Sequence, residues 1–285
     1  MELVLYLLAI AATVAQSAST KMFIRQSRQS AVFNLCKASS SLVLFALMAA
    51  KGFAFHWPTL IMGFAYGGCL CLSMYAGYKA LSLGPMALTS MLVAFSVMLP
   101  LVWGVTVGQE TFGLVKMVAL VLLILAIVLT NADQLGKKQQ LKAGRGLWLM
   151  FVFLTLGCNG VASILQKVHQ TRYPEAYSRE FMFFAMLLCT LAFGFIVLKK
   201  MSLQEIRAVP GKRYGVLSGM TNGVGNFLTL MLAGSQNASI LFPIISGGTI
   251  LGALLCGRLV FKEKLKLNHY FALIAGMTAV VLLKL

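Results

Sequence analysis

The sequence predicts an all-α membrane protein: ten transmembrane helices arranged as two inverted five-helix repeats. Three observations predict it. Of the 285 residues, 59% are hydrophobic and only 11% are charged, with a mean hydropathy of +0.87; a soluble domain carries roughly 25% charged residues. Apolar runs of about 20 residues recur, each long enough as a helix to cross a hydrocarbon core of about 30 Å. The second half of the chain also repeats part of the first without a gap.

The runs predict helices at about 3–20, 31–50, 59–80, 85–107, 113–131, 147–167, 181–199, 213–233, 237–260 and 268–284. The first has the length of a signal peptide but lacks a basic leader, so it reads as a retained helix. The second, "AVFNLCKASSSLVLFALMAA", carries Lys37 about two turns inside it. The third ends near Tyr75 and Tyr78. The fourth and fifth flank Glu110, and the sixth contains Asn159, Ser163 and Gln166. The seventh is nearly all apolar; the eighth holds "LSGMTNGVGNFL". The ninth contains Pro243 followed by Ser246, Gly247, Gly248 and Thr249, a combination that permits either a kink or close packing. The tenth closes the chain. The polar stretch "NADQLGKKQQLKAGRG" separates a first repeat at 1–135 from a second at 147–285, with a linker at 136–146.

The repeat is read at a shift of 153. Between Ala80–Thr130 and Ala233–Leu283, thirteen of fifty-one positions are identical, Ser82/Ser235, Gly104/Gly257, Glu110/Glu263 and Ala119/Ala272 among them. Only seven acids occur in the chain, so the Glu pair is the informative match. A weaker match at a shift of 146 pairs Ser17/Ser163 and Lys21/Lys167. Five helices per repeat is odd, so the second copy must enter the membrane from the opposite side, as in many secondary transporters. Assigned to loops, 17 basic residues fall on one side and 6 on the other, which places the odd-numbered connections in the cytoplasm and both termini outside.

The net charge of +17 does not imply nucleic acid. The basic residues are spread through short loops, where lipid headgroups attract them, and no soluble basic domain exists to hold a duplex. The six cysteines lie within apolar runs and read as packing residues; Cys69 and Cys71 point to different helix faces. Neither a metal nor a cofactor is implied.

Four stretches resemble the drug/metabolite transporter superfamily, specifically its EamA-like ten-helix branch. "YKALSLGPMALTSML" resembles the junction of its third and fourth helices. "GQETFGLVKMVALVLLILAIVL" and "FKEKLKLNHYFALIAGMTAVVLL" resemble the acid-led last helix of each half. "FNLCKASSS" is similar to the start of the second helix, where relatives often carry arginine in place of Lys37. Ala119 and Ala272 stand where the family often has glycine, and Val97 and Ile250 where it often has proline. The resemblance implies export or import of small solutes, including amino acids, nucleotide-sugars and cationic drugs. It also implies cytoplasmic termini, against the loop charges.

The candidate substrate-binding residues are Gln16, Lys37, Tyr75, Tyr78, Asn159, Ser218, Asn222 and Asn226. Lys37 either snorkels to headgroups or faces a cavity and holds an anionic group. Ser218, Asn222 and Asn226 form one polar stripe at i, i+4, i+8. It serves interhelical hydrogen bonds or lines a cavity beside Gly219, Gly223 and Gly225. Tyr78 is either an interface anchor or a site residue; Tyr75 and Asn159 lie deeper. Glu110 and Glu263 are expected to cap the helices that follow them. No carboxylate sits deep in a helix, which argues against simple proton-for-cation antiport.

The function expected is secondary transport of a small polar metabolite by alternating access, in an integral multi-pass protein of a bacterial plasma membrane. The partners are a solute and the lipid bilayer, in a monomer or homodimer. A multidrug or cation exporter and a lipid-carrier flippase are the alternatives. An enzyme is not expected: His56, His169 and His269 are dispersed, and Val216 stands where a Gly-x-Ser-Gly protease needs glycine.

Overall fold

A chain in lipid must satisfy its own backbone N–H and C=O groups, and helices do so locally. The computed structural model describes residues 2–27, 29–50, 52–83, 89, 92–110, 113–135, 145–174, 176–262 and 267–283. Its helices are α1 (Glu2–Gln26), α2 (Ser30–Ala49), α3 (Trp57–Leu83), α4 (Met98–Thr106, entered through a 3₁₀ turn at Phe95–Val97), α5 (Leu114–Leu135), α6 (Arg145–Arg172), α7 (Ser178–Lys200), α8 (Leu203–Ala208), α9 (Lys212–Ser235), α10 (Ala238–Leu259) and α11 (Leu267–Leu282). Among the described residues there is no strand. Among the described residues, seven helices are long and apolar enough to cross a bilayer: α1, α2, α3, α6, α7, α9 and α10. Shorter apolar helices cover 92–106, 114–130 and 267–282.

Several helices outrun their apolar stretches. α1 continues through Lys21 and Arg25 to Gln26, and α6 through His169 to Arg172. Nothing in those polar extensions breaks a helix, so hydropathy alone ends them too early. α8 is an addition. The sequence Ser202-x-x-Glu205 is a capping box: Ser202 Oγ accepts from Glu205 N at 3.3 Å, and Glu205 Oε2 accepts from Ser202 N at 2.7 Å. The hydrogen bonds from the Ser202 backbone and side chain hold the Glu205 carboxyl below the usual carboxylate range.

The chain packs as two units, each drawing on both sequence halves. The first comprises Met1–Cys71 and Leu165–Gly234, the second Leu72–Ile164 and Ser235–Leu285. Thus α3 and α6 each contribute to both. A repeat in sequence and a packing unit in space are different divisions of the chain.

In the first unit α2 packs along α7. Phe23, Val32, Phe33, Val197 and Val209 form a core where α1 ends and α2 begins, with the Phe23 and Phe33 rings 4.8 Å apart. α9 lies against α2 at Gly219, where a Cβ would collide with Ser40 Oγ and the Lys37 carbonyl oxygen. The contact is tied by Ser41 Oγ donating to Gly219 O at 2.6 Å and Ser40 Oγ donating to Val216 O at 3.1 Å. The serines following Lys37 therefore join helices across a small-residue seam; such bonds average about 0.6 kcal/mol in a membrane.

In the second unit α5 packs along α11, and α10 packs against α4 and α11. Leu123, Ile127 and Ala279 form part of its core. Two junctions in this unit match over the residues described in both. α4 ends at Thr106 and α5 starts at Leu114; α10 ends at Leu259 and α11 starts at Leu267. Each pair is 153 residues apart. Gln109 (φ 51°) and Lys262 (φ 53°), also 153 apart, both adopt the left-handed conformation. Val107 N bonds Trp103 O at 2.9 Å, and Val260 N bonds Cys256 O at 2.8 Å, at equivalent places. Over 103–109 and 256–262 the repeated sequence thus folds alike.

Glu110 departs from expectation. Both its oxygens are taken by the start of α10, a helix of the other sequence half: Oε1 accepts from Ala238 N at 2.7 Å and Oε2 from Ser239 N at 2.8 Å. Asn237, at the N-cap of α10, makes no side-chain cap of its own. Adjacency in the chain suggested the following helix; tertiary packing supplied a nearer set of unsatisfied N–H groups. Glu263 lies outside the described residues.

Candidate functional site

The first unit contains a cavity of about 520 Å³ where α6 ends and α7 begins, within the range of about 300–1,000 Å³ common for small-molecule sites. Its polar wall is Gln170, Tyr177, Ser178, Arg179 and Glu180; Phe227 and Met231 of α9 supply an apolar wall.

The turn between α6 and α7 sets this geometry. Tyr177, the residue before α7, is left-handed with φ 54° and ψ 17°. A non-glycine residue pays of order 1–3 kcal/mol for such a conformation. Its ring stacks on His56 with centroids 4.5 Å apart and planes 6° apart, and Tyr173 meets His56 edge-on at 4.8 Å. The aromatic contacts hold the strained residue at the cavity wall.

Behind that wall runs a chain of hydrogen bonds. Gln170 Nε2 donates to Ser178 Oγ at 2.7 Å and lies 3.3 Å from His169 Nδ1. His169 Nε2 is 3.2 Å from Thr59 Oγ1, which is 3.0 Å from His56 Nδ1. An amide N–H toward Nδ1 leaves His169 its proton on Nε2, which donates to Thr59; the hydroxyl then donates to His56. One directional chain satisfies all these groups. His169, Thr59 and Gln170 are buried. The two histidines, dispersed in sequence, therefore meet through Thr59. Among the described residues no group of three or more metal-ligating side chains exists.

Glu180 is the central charge. It stands in the first turn of α7, where a helix N-terminus favours an anion, yet it is only 5% exposed. Its Oε1 accepts from Ala54 N at 3.1 Å, and among the described residues no cation pairs with it. Arg179 is exposed, and its Nη1 donates to Met48 O at the end of α2 at 3.3 Å. The cavity thus offers a carboxylate, a guanidinium, an amide, a hydroxyl and an apolar wall.

None of the eight expected site residues lines this cavity. Five belong to the first unit. Lys37 is 8% exposed, and among the described residues nothing accepts from its Nζ. Ser218 is fully buried, with Thr20 Oγ1 3.4 Å from its hydroxyl; Thr20 also bonds Gln16 O at 2.8 Å. Through these contacts Gln16, Lys37 and Ser218 share the region where α9 meets α1 and α2. Asn222 is buried, and among the described residues its Nδ2 has no partner; Asn226 is half-buried. The other three belong to the second unit. Tyr75 and Tyr78 are exposed, with Lys79 Nζ 5.9 Å from the centre of the Tyr75 ring. Asn159 Oδ1 accepts from Ser73 Oγ at 2.6 Å.

Sequence reasoning missed Glu180, Gln170, Tyr177 and Arg179. Glu180 was visible as one of seven acids, but its place at a helix end suggested exposure. Burial there arises from the 52–55 segment folding over it, which no local pattern encodes.

No protein-family model and no curated protein matches the chain. A solved structure described only as "Crystal structure of protein" matches it with a TM-score of 0.77 at 12% identity, covering 98% of this chain and 94% of that one. At that identity the likeness establishes a shared fold over nearly the whole length.

Proposed function

We propose that the chain is a secondary transporter of a small polar metabolite. Its ten helices would form two inverted five-helix repeats of the EamA-like kind in the drug/metabolite transporter superfamily, working by alternating access in a bacterial plasma membrane. The matching backbone at 106–109 and 259–262 supports the duplicated architecture. The observation that carries the functional reading is the cavity with buried Glu180, paired with no cation among the described residues, in a bundle otherwise suited to lipid. An ionisable group in that setting marks a solute or ion site by default. Glu180 would attract the donor group of the solute, Arg179 an acidic group, and Phe227 and Met231 an apolar part. Lys37 would serve as a second attraction for anionic groups.

Glu180 also favours a second reading. A carboxylate that can exchange a proton for a cation is what a cation exporter needs, and the sequence had shown none at depth. Proteoliposome uptake detected by mass spectrometry tests both. Solutes to be offered are amino acids, nucleotide-sugars and organic cations, with Glu180→Gln beside wild type. Transport of a metabolite that is lost in Glu180→Gln supports the first reading; cation transport that collapses with the proton gradient supports the second. Wild-type vesicles that accumulate nothing above empty vesicles would remove both.

A further inference from the structure

Cys71 of α3 and Cys189 of α7 read in the sequence as packing residues. Their surroundings give them more to do. α3 and α7 approach through two steps of equal length. A Cβ on Gly63 would lie 2.9 Å from Phe181 O, and a Cβ on Gly67 would lie 2.6 Å from Ala185 O and 2.9 Å from Ala185 Cα. Four residues further on each helix stand Cys71 and Cys189. Numbers rise together on both, so the helices run parallel in register: 63 with 181, 67 with 185, 71 with 189.

A Cα–Cβ bond of roughly 1.5 Å bounds the Gly67–Ala185 Cα separation at about 4.4 Å, the short end of the 4.4–6.8 Å that disulfides usually span. One turn on, the two thiols meet. Cys189 Sγ donates to Gly67 O at 3.4 Å, the carbonyl one turn before Cys71, and the Cys71 and Cys189 side chains interact with each other. Cys189 is fully buried, whereas Cys71 is partly accessible to a reagent.

We propose that Cys71 and Cys189 are a redox couple that closes to a disulfide joining α3 to α7. The oxidant is a small two-electron thiol oxidant: a low-molecular-weight disulfide or an azo compound. Both S–H bonds break and one S–S bond forms. The two electrons and two protons pass to the oxidant, so a small disulfide leaves as two thiols. Cys71 is the last residue of α3 within the first unit; the bond fastens the helix to α7 where it leaves that unit.

The test uses the full chain with a specific protease site inserted at 136–144, between the two cysteines. The purified protein is treated with diamide, blocked with N-ethylmaleimide, cleaved and run on a denaturing gel without reductant. The fragments stay joined in wild type and separate on adding reductant. They remain joined in a variant with Cys36, Cys69, Cys158 and Cys256 all replaced by Ser, and the linked peptide is identified by mass spectrometry. They separate in Cys71→Ser and in Cys189→Ser, each checked for a wild-type elution profile. The couple is overturned if wild-type fragments separate after oxidation, or if joining persists in either single variant.

Discussion

Removing the Glu110 carboxylate should loosen the start of α10, and the size of the loss can be worked from the contacts. Ala238 and Ser239, whose N–H groups it receives, are both fully buried. Glu110 is itself half-buried, so water reaches part of the space that Glu110→Ala leaves. Losing an N-cap costs about 0.5–2 kcal/mol, a figure that already includes the unpaired donors; with both donors on buried residues the upper end applies, about 2 kcal/mol. At roughly 2–4 °C per kcal/mol for a large chain, the unfolding midpoint in detergent should fall by about 4–8 °C. Glu110→Gln keeps one acceptor and presents an amide N–H to the other donor, so about half that fall is expected. Gly104 gives an internal control. A Cβ there would lie 2.6 Å from Glu110 Oε2 and 3.2 Å from Ser239 N. Gly104→Ala should cost more in wild type than in Glu110→Ala, with a coupling energy of at least about 1 kcal/mol in the double-mutant cycle. Scanning fluorimetry on the purified protein measures all four. A midpoint for Glu110→Ala within about 1 °C of wild type, or strict additivity with Gly104→Ala, would refute the capping account.

Lys37→Met removes a buried ammonium that lacks an acceptor among the described residues. It should leave the thermal midpoint equal to or above wild type, while anion uptake by proteoliposomes falls; unchanged uptake of every acidic solute would remove the proposed Lys37 role. Gly219→Leu drives a branched side chain into Ser40 and the Lys37 backbone, and should cost about 3 kcal/mol or more of stability, read as loss of monodisperse protein on size-exclusion chromatography. Tyr177→Gly relieves a left-handed backbone but deletes the ring stacked on His56. Hydrogen exchange should then quicken at 52–56, the segment that ring holds. For Glu205, whose folded carboxyl is held below its unfolded value, the cap is complete above the ordinary range near pH ~4.3. It is lost as pH falls through the depressed value, so exchange protection of α8 should drop on acidification, and should not in Glu205→Gln.

What could be read from the sequence was what lipid imposes. Apolar length gave the helices, because burial in hydrocarbon depends on composition more than on partners. The 153-residue shift located the turn containing Gln109 and Lys262, since both copies keep an acid one residue later. The Ser202-x-x-Glu205 box was legible too, but hydropathy masked a six-residue helix lying between longer ones. The cavity was not legible. Glu180 is enclosed by a segment more than a hundred residues earlier, and His56 meets His169 through a threonine on another helix. Such meetings depend on how helices pair, and pairing among uniformly apolar faces leaves almost no trace in periodicity. The glycines of α9 were ambiguous for the same reason: the residue that permits an opening also permits the contact Gly219 makes with α2.

The carboxylate reaching from residue 110 to the beginning of α10 has a bearing on engineering. A helix of the later half borrows its cap from the earlier one, so the two halves are not self-sufficient spare parts. A chimera that grafts residues 147–285 onto a foreign front half will inherit a frayed α10 unless the graft's host brings an acid to the same spot. Co-expressed half-chains, by contrast, should each prove fragile alone and regain order in each other's company.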